Sequence, residues 1–161
     1  MKKINYLILF TLLLLLINGC VGYQPIFSTS KIQFTIKESI IEGDKELGNR
    51  IYSKLYNLSK SQNDTTNSTP INIIINSSKS KKEAAKDTSG NILEYKIILT
   101  TKVIINNQQT KDKILNQTFK SSIIYKTQNE YSSTIILENK SIDDLINKTY
   151  QDILFKIAEH I

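Results

Sequence analysis

The chain has no tryptophan, one cysteine, one histidine, one arginine, two prolines and five glycines among its 161 residues. Each scarcity removes something. The lone cysteine, Cys20, cannot close an internal disulfide, so the fold must rest on packing alone. His160 is the only histidine and stands one residue from the end of the sequence, a poor place for a general base. No His/Cys cluster offers a metal-ligand set, and the few glycines form neither a phosphate-cradling loop nor a nucleophile elbow. Asp143 and Asp144 are adjacent at an expected helix start, where they point apart and favour the helix dipole; they read as capping charges rather than a catalytic pair. The expectation is a protein that is not an enzyme, with no catalytic residues, no cofactor and no metal.

What is present is a chain rich in Ile, Asn, Lys, Ser and Thr with a formal net charge of +6, almost all of its basic residues being lysine. This composition suggests an A/T-rich gene, whose codon bias would account for part of that balance. The length suits one domain plus a leader. A domain of this size buries only about two-thirds of its unfolded surface, so a modest margin of stability is expected.

The leader is legible. Lys2 and Lys3 supply a positive start, and Ile4 to Ile17 is almost wholly apolar. That run is shorter than the roughly 20 apolar residues that span a bilayer, and Gln24 and Pro25 argue against extending it. It fits the apolar region of a signal peptide ending at small residues. Ile17-Asn18-Gly19-Cys20 resembles a bacterial lipobox, with Asn18 larger than the usual Ala or Ser. The resemblance implies that residues 1–19 are a lipoprotein signal peptide removed before Cys20, that the Cys20 thiol carries a diacylglyceryl thioether, and that the freed amine is acylated. Three acyl chains anchor a protein essentially without release, whereas one binds only marginally. Position 21 is Val and not the Asp that commonly retains lipoproteins in the inner membrane, which implies the outer membrane. Residues 20–30 then form a lipidated tether, and 31–161 a single domain.

Within that domain Ile32, Phe34 and Ile36 alternate with polar residues and predict a half-buried strand. Glu42-Gly43-Asp44 predicts a turn with Asp44 as helix N-cap, and Leu47, Ile51, Leu55 and Leu58 predict an amphipathic helix over about 44–60. Residues 59–69 read as a polar loop. A second strand follows Pro70 over about 71–77, then a lysine-rich segment with a Ser89-Gly90-Asn91 turn. A third strand is expected from Leu93 to Asn106 and a fourth from Ile114 to about Tyr125, broken near Asn116; Tyr131 to Leu137 is ambiguous. Ser141 reads as the N-cap of a closing helix over about 141–160, with Asp144 in the place of a capping-box acid. The order β-α-β-β-β-α implies an α+β two-layer sandwich, two helices on a mostly antiparallel four-stranded sheet. The first helix joins strands one and two, which can therefore be parallel.

The lysines Lys79, Lys81, Lys82 and Lys86 follow the second strand, at an expected end or rim of the sheet. Ammonium groups there can meet phosphates as point charges. Outside the cytoplasm the partner would be a lipid headgroup or lipopolysaccharide phosphate rather than nucleic acid; the plainer reading is a solvated charged loop.

Cys20-Val21-Gly22-Tyr23-Gln24-Pro25-Ile26-Phe27 is similar to the Cys-Gly-Phe-x-Pro-Leu-Tyr stretch that opens the mature LPS-assembly lipoproteins, the LptE-like small subunits of the outer-membrane lipopolysaccharide translocon; Val21 is one extra residue. The layout of the rest resembles that family too, including the Tyr-bearing strand Glu94-Tyr95-Lys96-Ile97 and the segment from Tyr125 to Tyr131-Ser132-Ser133. The resemblance implies a protein lipid-anchored to the periplasmic side of the outer membrane of a Gram-negative cell. There it plugs a large β-barrel subunit, assists its assembly and binds lipopolysaccharide on its way to the cell surface. A barrel lumen is polar, and Asn72, Asn76, Thr100, Lys102, Lys120 and Ser122 offer hydrogen-bonding groups on strand faces. Lys79, Lys81, Lys82 and Lys86 are the candidate phosphate contacts. The alternative is another outer-membrane lipoprotein, acting as a scaffold or secretion-complex component.

Overall fold

The computed structural model of the chain describes residues 33–61 and 68–160. The leader over 1–19, Cys20 and the tether over 20–30 lie outside the described residues, as does the middle of the expected 59–69 loop. The described part runs β1 (Phe34–Gly43), α1 (Lys45–Ser61), β2 (Thr69–Lys86), β3 (Ile92–Asn107), β4 (Lys113–Lys126) and α2 (Tyr131–Ala158). The four strands form one sheet in the order β1-β2-β3-β4, with β1 parallel to β2 and the other pairs antiparallel. This is the expected α+β sandwich with two helices on one face.

Alternation builds the sheet. On the helix side, Ser39–Ile73–Ile105–Leu115 and Ile41–Ile75–Val103–Gln117 form successive cross-strand rows. Ile73, Ile75, Ile105 and Val103 are buried there with Ile51 and Leu55 of α1 and Ile146, Ile153 and Ile157 of α2. Burying each such side chain contributes roughly 1.5–3 kcal/mol. α1 packs on β1 and β2, and α2 on β4 and β3. The Arg50 guanidinium and the Asp143 carboxylate tie the two helices together.

The turn from β1 into α1 is as the sequence predicts. Gly43 has φ +70°, and a Cβ there would meet the Ser77 carbonyl oxygen at 2.3 Å, so only glycine fits. Asp44 caps α1: its Oδ1 accepts the Leu47 backbone N–H at 3.2 Å.

Three expectations change. β2 does not stop near residue 77 but continues through Lys86, pairing with β3 by way of Lys81↔Ile97, Lys82↔Lys96 and Glu83↔Tyr95. The apolar alternation disappears there because β2 is mostly exposed beyond Ser77, where the β1 pairing ends, and what α2 meets on it is polar, Lys81 against Glu138. β4 is unbroken at Asn116, which pairs with Ile104 and turns its side chain outward. The closing helix starts ten residues early, at Tyr131 after Glu130. Ser141 is then a buried residue inside α2, not a cap, and Asp143 and Asp144 lie mid-helix, Asp143 serving Arg50. The first turns of α2 were illegible because they present no apolar stripe. Thr134 anchors them instead, accepting the Gln128 backbone N–H on its Oγ1 at 2.8 Å.

Candidate functional site

The sheet divides the molecule into a proximal part, completed by β1 and α1, and a distal part in which β2, β3 and β4 run on alone under the N-terminal half of α2. A polar belt marks the border. Ser77 Oγ and Thr101 Oγ1 lie 3.2 Å apart, and Ser121 Oγ and Thr149 Oγ1 3.4 Å, all four residues buried.

Past the belt the helix-side rows become Lys79–Leu99–Ser121, Lys81–Ile97–Ile123 and Glu83–Tyr95–Tyr125. Lys81 is the centre of this end. Its Nζ donates to Glu138 Oε2 of α2 at 2.5 Å and sits 4.2 Å from the Tyr95 ring centroid and 5.6 Å from that of Tyr125. Tyr125 Oη donates to the same Glu138 oxygen at 2.8 Å, and the Tyr95 and Tyr125 rings stack with centroids 5.9 Å apart. Partial burial alone would favour the neutral amine of Lys81. The hydrogen bonds to Glu138 and Tyr125 and the Glu138 charge outweigh it and push Lys81 above the ordinary lysine range. The mirror argument applies to Glu138: burial would raise it, but hydrogen bonds from Lys81 and Tyr125 and the charges of Lys81 and Lys79 hold it below the usual carboxylate value. Burial, with smaller opposing contributions from Lys81, moves the Tyr125 phenol up. At neutral pH Lys81 and Glu138 are charged, Tyr125 keeps its proton, and the three satisfy one another. The cluster is a clamp, with no free base or nucleophile in it.

The lysines singled out from the sequence are therefore not one patch. Lys79 and Lys81 lie on the helix side of β2, Lys81 already engaged. Lys82 lies on the opposite side, beside Lys96. Lys86 pairs with Glu83 at 2.7 Å, close to the turn, where the Asp87 carboxylate accepts the Ser89 and Asn91 backbone N–H groups and is held low, first by its bond from the Asn91 side chain.

The helix-free side of the sheet is the other candidate surface. Asn72, Asn76, Thr100, Lys102, Lys120 and Ser122, expected to supply a polar exterior, all share it. The rows are Glu38–Asn72–Asn106, Ile40–Ile74–Ile104–Asn116, Glu42–Asn76–Lys102–Thr118, Ser78–Thr100–Lys120, Ser80–Ile98–Ser122 and Lys82–Lys96–Ile124. Its charge is divided. On β1, Glu38 and Glu42 accept from the amides of Asn72 and Asn76 at 2.9 and 3.0 Å. From β2 to β4 the only charges in these rows are the lysines Lys82, Lys96, Lys102 and Lys120. Lys96 was missed by the sequence reading, although its place in the alternation of the third strand carries the signal.

Two concavities are shallow. One of about 270 Å³ lies between β4 and the C-terminal half of α2, among Phe119, Lys120, Asp152, Phe155 and Lys156. The other, about 430 Å³, lies on α1 around Glu46, Arg50 and Lys54. His160 is exposed, its Nδ1 2.8 Å from the Lys156 carbonyl oxygen.

No family model matches the sequence, and no curated protein matches it significantly. The fold does have solved counterparts. The rare lipoprotein B from Shewanella oneidensis superposes with a TM-score of 0.51 at 15% identity, covering 76% of this chain and 95% of that one. An uncharacterized lipoprotein B from Nitrosomonas europaea gives 0.53 at 15% identity, covering 83% and 88%. A Caulobacter crescentus CB15 protein gives 0.54 at 11% identity, covering 77% and 88%. At these identities the likeness is one of fold.

Proposed function

We propose that this chain is an outer-membrane lipoprotein, acylated at Cys20 and held on the periplasmic side, that plugs a large β-barrel lipopolysaccharide translocon, assists its assembly and binds lipopolysaccharide in transit. The observation that carries the reading is the helix-free sheet face. A protein seated in a barrel lumen meets a polar wall and must offer hydrogen-bonding groups along a broad surface. This face presents amide, hydroxyl and ammonium groups across four strands, about 14 Å wide at the usual strand spacing. The lipobox-like Ile17–Cys20, the Tyr23-Gln24-Pro25-Ile26-Phe27 stretch and the shared fold with solved lipoprotein B structures support the same reading.

Acyl chains on Cys20 would hold the domain at the membrane and raise its effective concentration beside the barrel. Of the lysines first considered for lipopolysaccharide phosphates, Lys82 stands best, since Lys96 faces the same way beside it. Lys79 keeps a helix-side position, Lys86 is tied to Glu83, and Lys81 is committed to the clamp.

Affinity purification from outer membranes followed by mass spectrometry tests the proposal. The expected result is a stable complex with one large barrel protein and palmitate on the mature chain. Recovery with a secretion complex instead would favour the scaffold alternative, and a chain that never carries palmitate would remove the anchor. In a lipopolysaccharide binding assay, Lys82→Glu with Lys96→Glu is expected to weaken binding at least tenfold. Unchanged affinity would take this pair out of the site.

A further inference from the structure

The two edges of the sheet are built differently. β1 is ten residues long, its pairing with β2 slips between Ile36 and Glu38, and its helix-free side carries Glu38 and Glu42. A short, irregular, charged edge resists further pairing. β4 is fourteen residues long, contains neither proline nor glycine, and keeps regular register from Leu115 to Lys126. Among the described residues its far side has no strand neighbour in the sheet. Such an edge is a template for an added strand.

The charge of β4 selects what can be added. It carries Lys113, Lys120 and Lys126 and no acidic residue. A second copy pairing antiparallel about the strand centre would set Lys120 near Lys120 and the terminal lysines against each other. Like charges directly opposed are destabilising. The same three positions, seven and six residues apart, would each receive a carboxylate from an acidic strand.

The neighbouring structure fits an added strand as well. Side chains of such a strand would alternate between the helix-free face, beside Thr118, Lys120 and Ser122, and the side under α2. There the cleft of about 270 Å³ beside Phe119 and Phe155 has room for a large apolar side chain. Of the charges around that cleft, Asp152 is within 3.6 Å of Lys148 and Glu159 within 2.7 Å of Lys156. This leaves Lys120, which borders the cleft from β4 while belonging to a helix-free row, with no ion pair among the described residues.

We propose that the outer edge of β4 is a strand-addition site for an extended acidic segment of a partner protein, with carboxylates alternating along it and an apolar side chain seated in the β4–α2 cleft. This edge adjoins the helix-free face and shares Lys120 with it, but what it offers is the unpaired backbone rim of β4, and its test does not depend on the identity of any barrel.

The probe is a blocked ten-residue peptide alternating Glu and Val with one central Phe, compared with the same peptide carrying Lys for Glu. Both are titrated into the full chain, with binding followed by fluorescence anisotropy and by backbone amide shifts. The acidic peptide is expected to bind at least tenfold more tightly, with the largest shifts along residues 113–126. Lys120→Glu is expected to weaken it at least fivefold, with the far-UV circular dichroism spectrum and thermal midpoint unchanged. Lys37→Glu, exposed on β1 at the opposite edge of the sheet, serves as the control and should leave affinity within twofold. Equal binding of both peptides, shifts confined to β1 or to the helix-free face, or an unliganded chain that already self-associates through β4 in sedimentation would each overturn the proposal.

Discussion

In the proximal half the layer between sheet and helices consists of Ile51, Ile73, Ile75, Ile105 and Ile146. In the distal half Leu99 and Ile97 carry the apolar layer a little further, and its outer end consists of Lys81, Tyr95, Tyr125 and Glu138. One helix, α2, serves both. From Ser141 onward it buries Ile142, Leu145, Ile146, Ile153 and Ile157, whereas Tyr131 is 80% and Ile136 67% exposed before it. Apolar burial is non-directional and scales with area. The distal contacts are few, directional and titratable, and a network of that kind is lost together when one member goes. One sheet is therefore held in two ways, and the distal part should open at lower free energy than the whole.

The contrast is sharpest under core truncation. Ile146→Ala in the proximal layer is expected to cost about 2–5 kcal/mol of global stability, read as a fall in the urea midpoint. A cost below about 1 kcal/mol would mean that the proximal layer is not the main support.

Gly48→Ala probes the same half from the opposite direction. An exposed helical glycine normally gains up to about 1 kcal/mol from alanine, but here the new Cβ would stand 2.5 Å from Ile41 Cγ2. Overpacking of this kind costs about 1–3 kcal/mol, so the sign should reverse, and adding Ile41→Ala should recover part of the loss.

For the distal half, Glu138→Gln is expected to cost about 1–2 kcal/mol, between the values for exposed and buried ion pairs. Amide exchange over 131–140 should accelerate while the proximal strands stay protected. Uniform acceleration throughout would erase the distinction between the halves.

The smallest effect is that of pH. Glu138 is held low in the folded state, so its contribution is complete above the ordinary carboxylate pKa and is lost as pH falls through its folded value. Lys81 is held high, so its contribution is complete below the ordinary lysine pKa and is lost only above it. Exchange protection over 131–140 should therefore weaken on acidification before that of the proximal strands, and Glu138→Gln should abolish this acid limb.

The same contrast explains what the sequence disclosed. Order, sheet composition, parallel first pair and the Asp44 cap were readable because the proximal half obeys the apolar periodicities of strand and helix. The distal half was misread for one physical reason. Where a strand or helix is held by polar contacts across the fold, as Lys81 is by Glu138 57 residues away, the periodic signal vanishes although the element continues. The lysines were found, but sequence proximity hid their alternation: Lys81 and Lys82 are neighbours in the chain and lie on opposite sides of the sheet. The six polar positions on the helix-free face were recovered because period two alone assigns them.

The parallel placement of β1 against β2 bears on how the chain acquires its shape. β2, β3 and β4 are joined by two tight turns and can close as a meander through local encounters. β1 reaches its seat only across the whole length of α1 and the segment after it, and closing that longer circuit costs more chain entropy. The strand made first is thus expected to be the one fitted last.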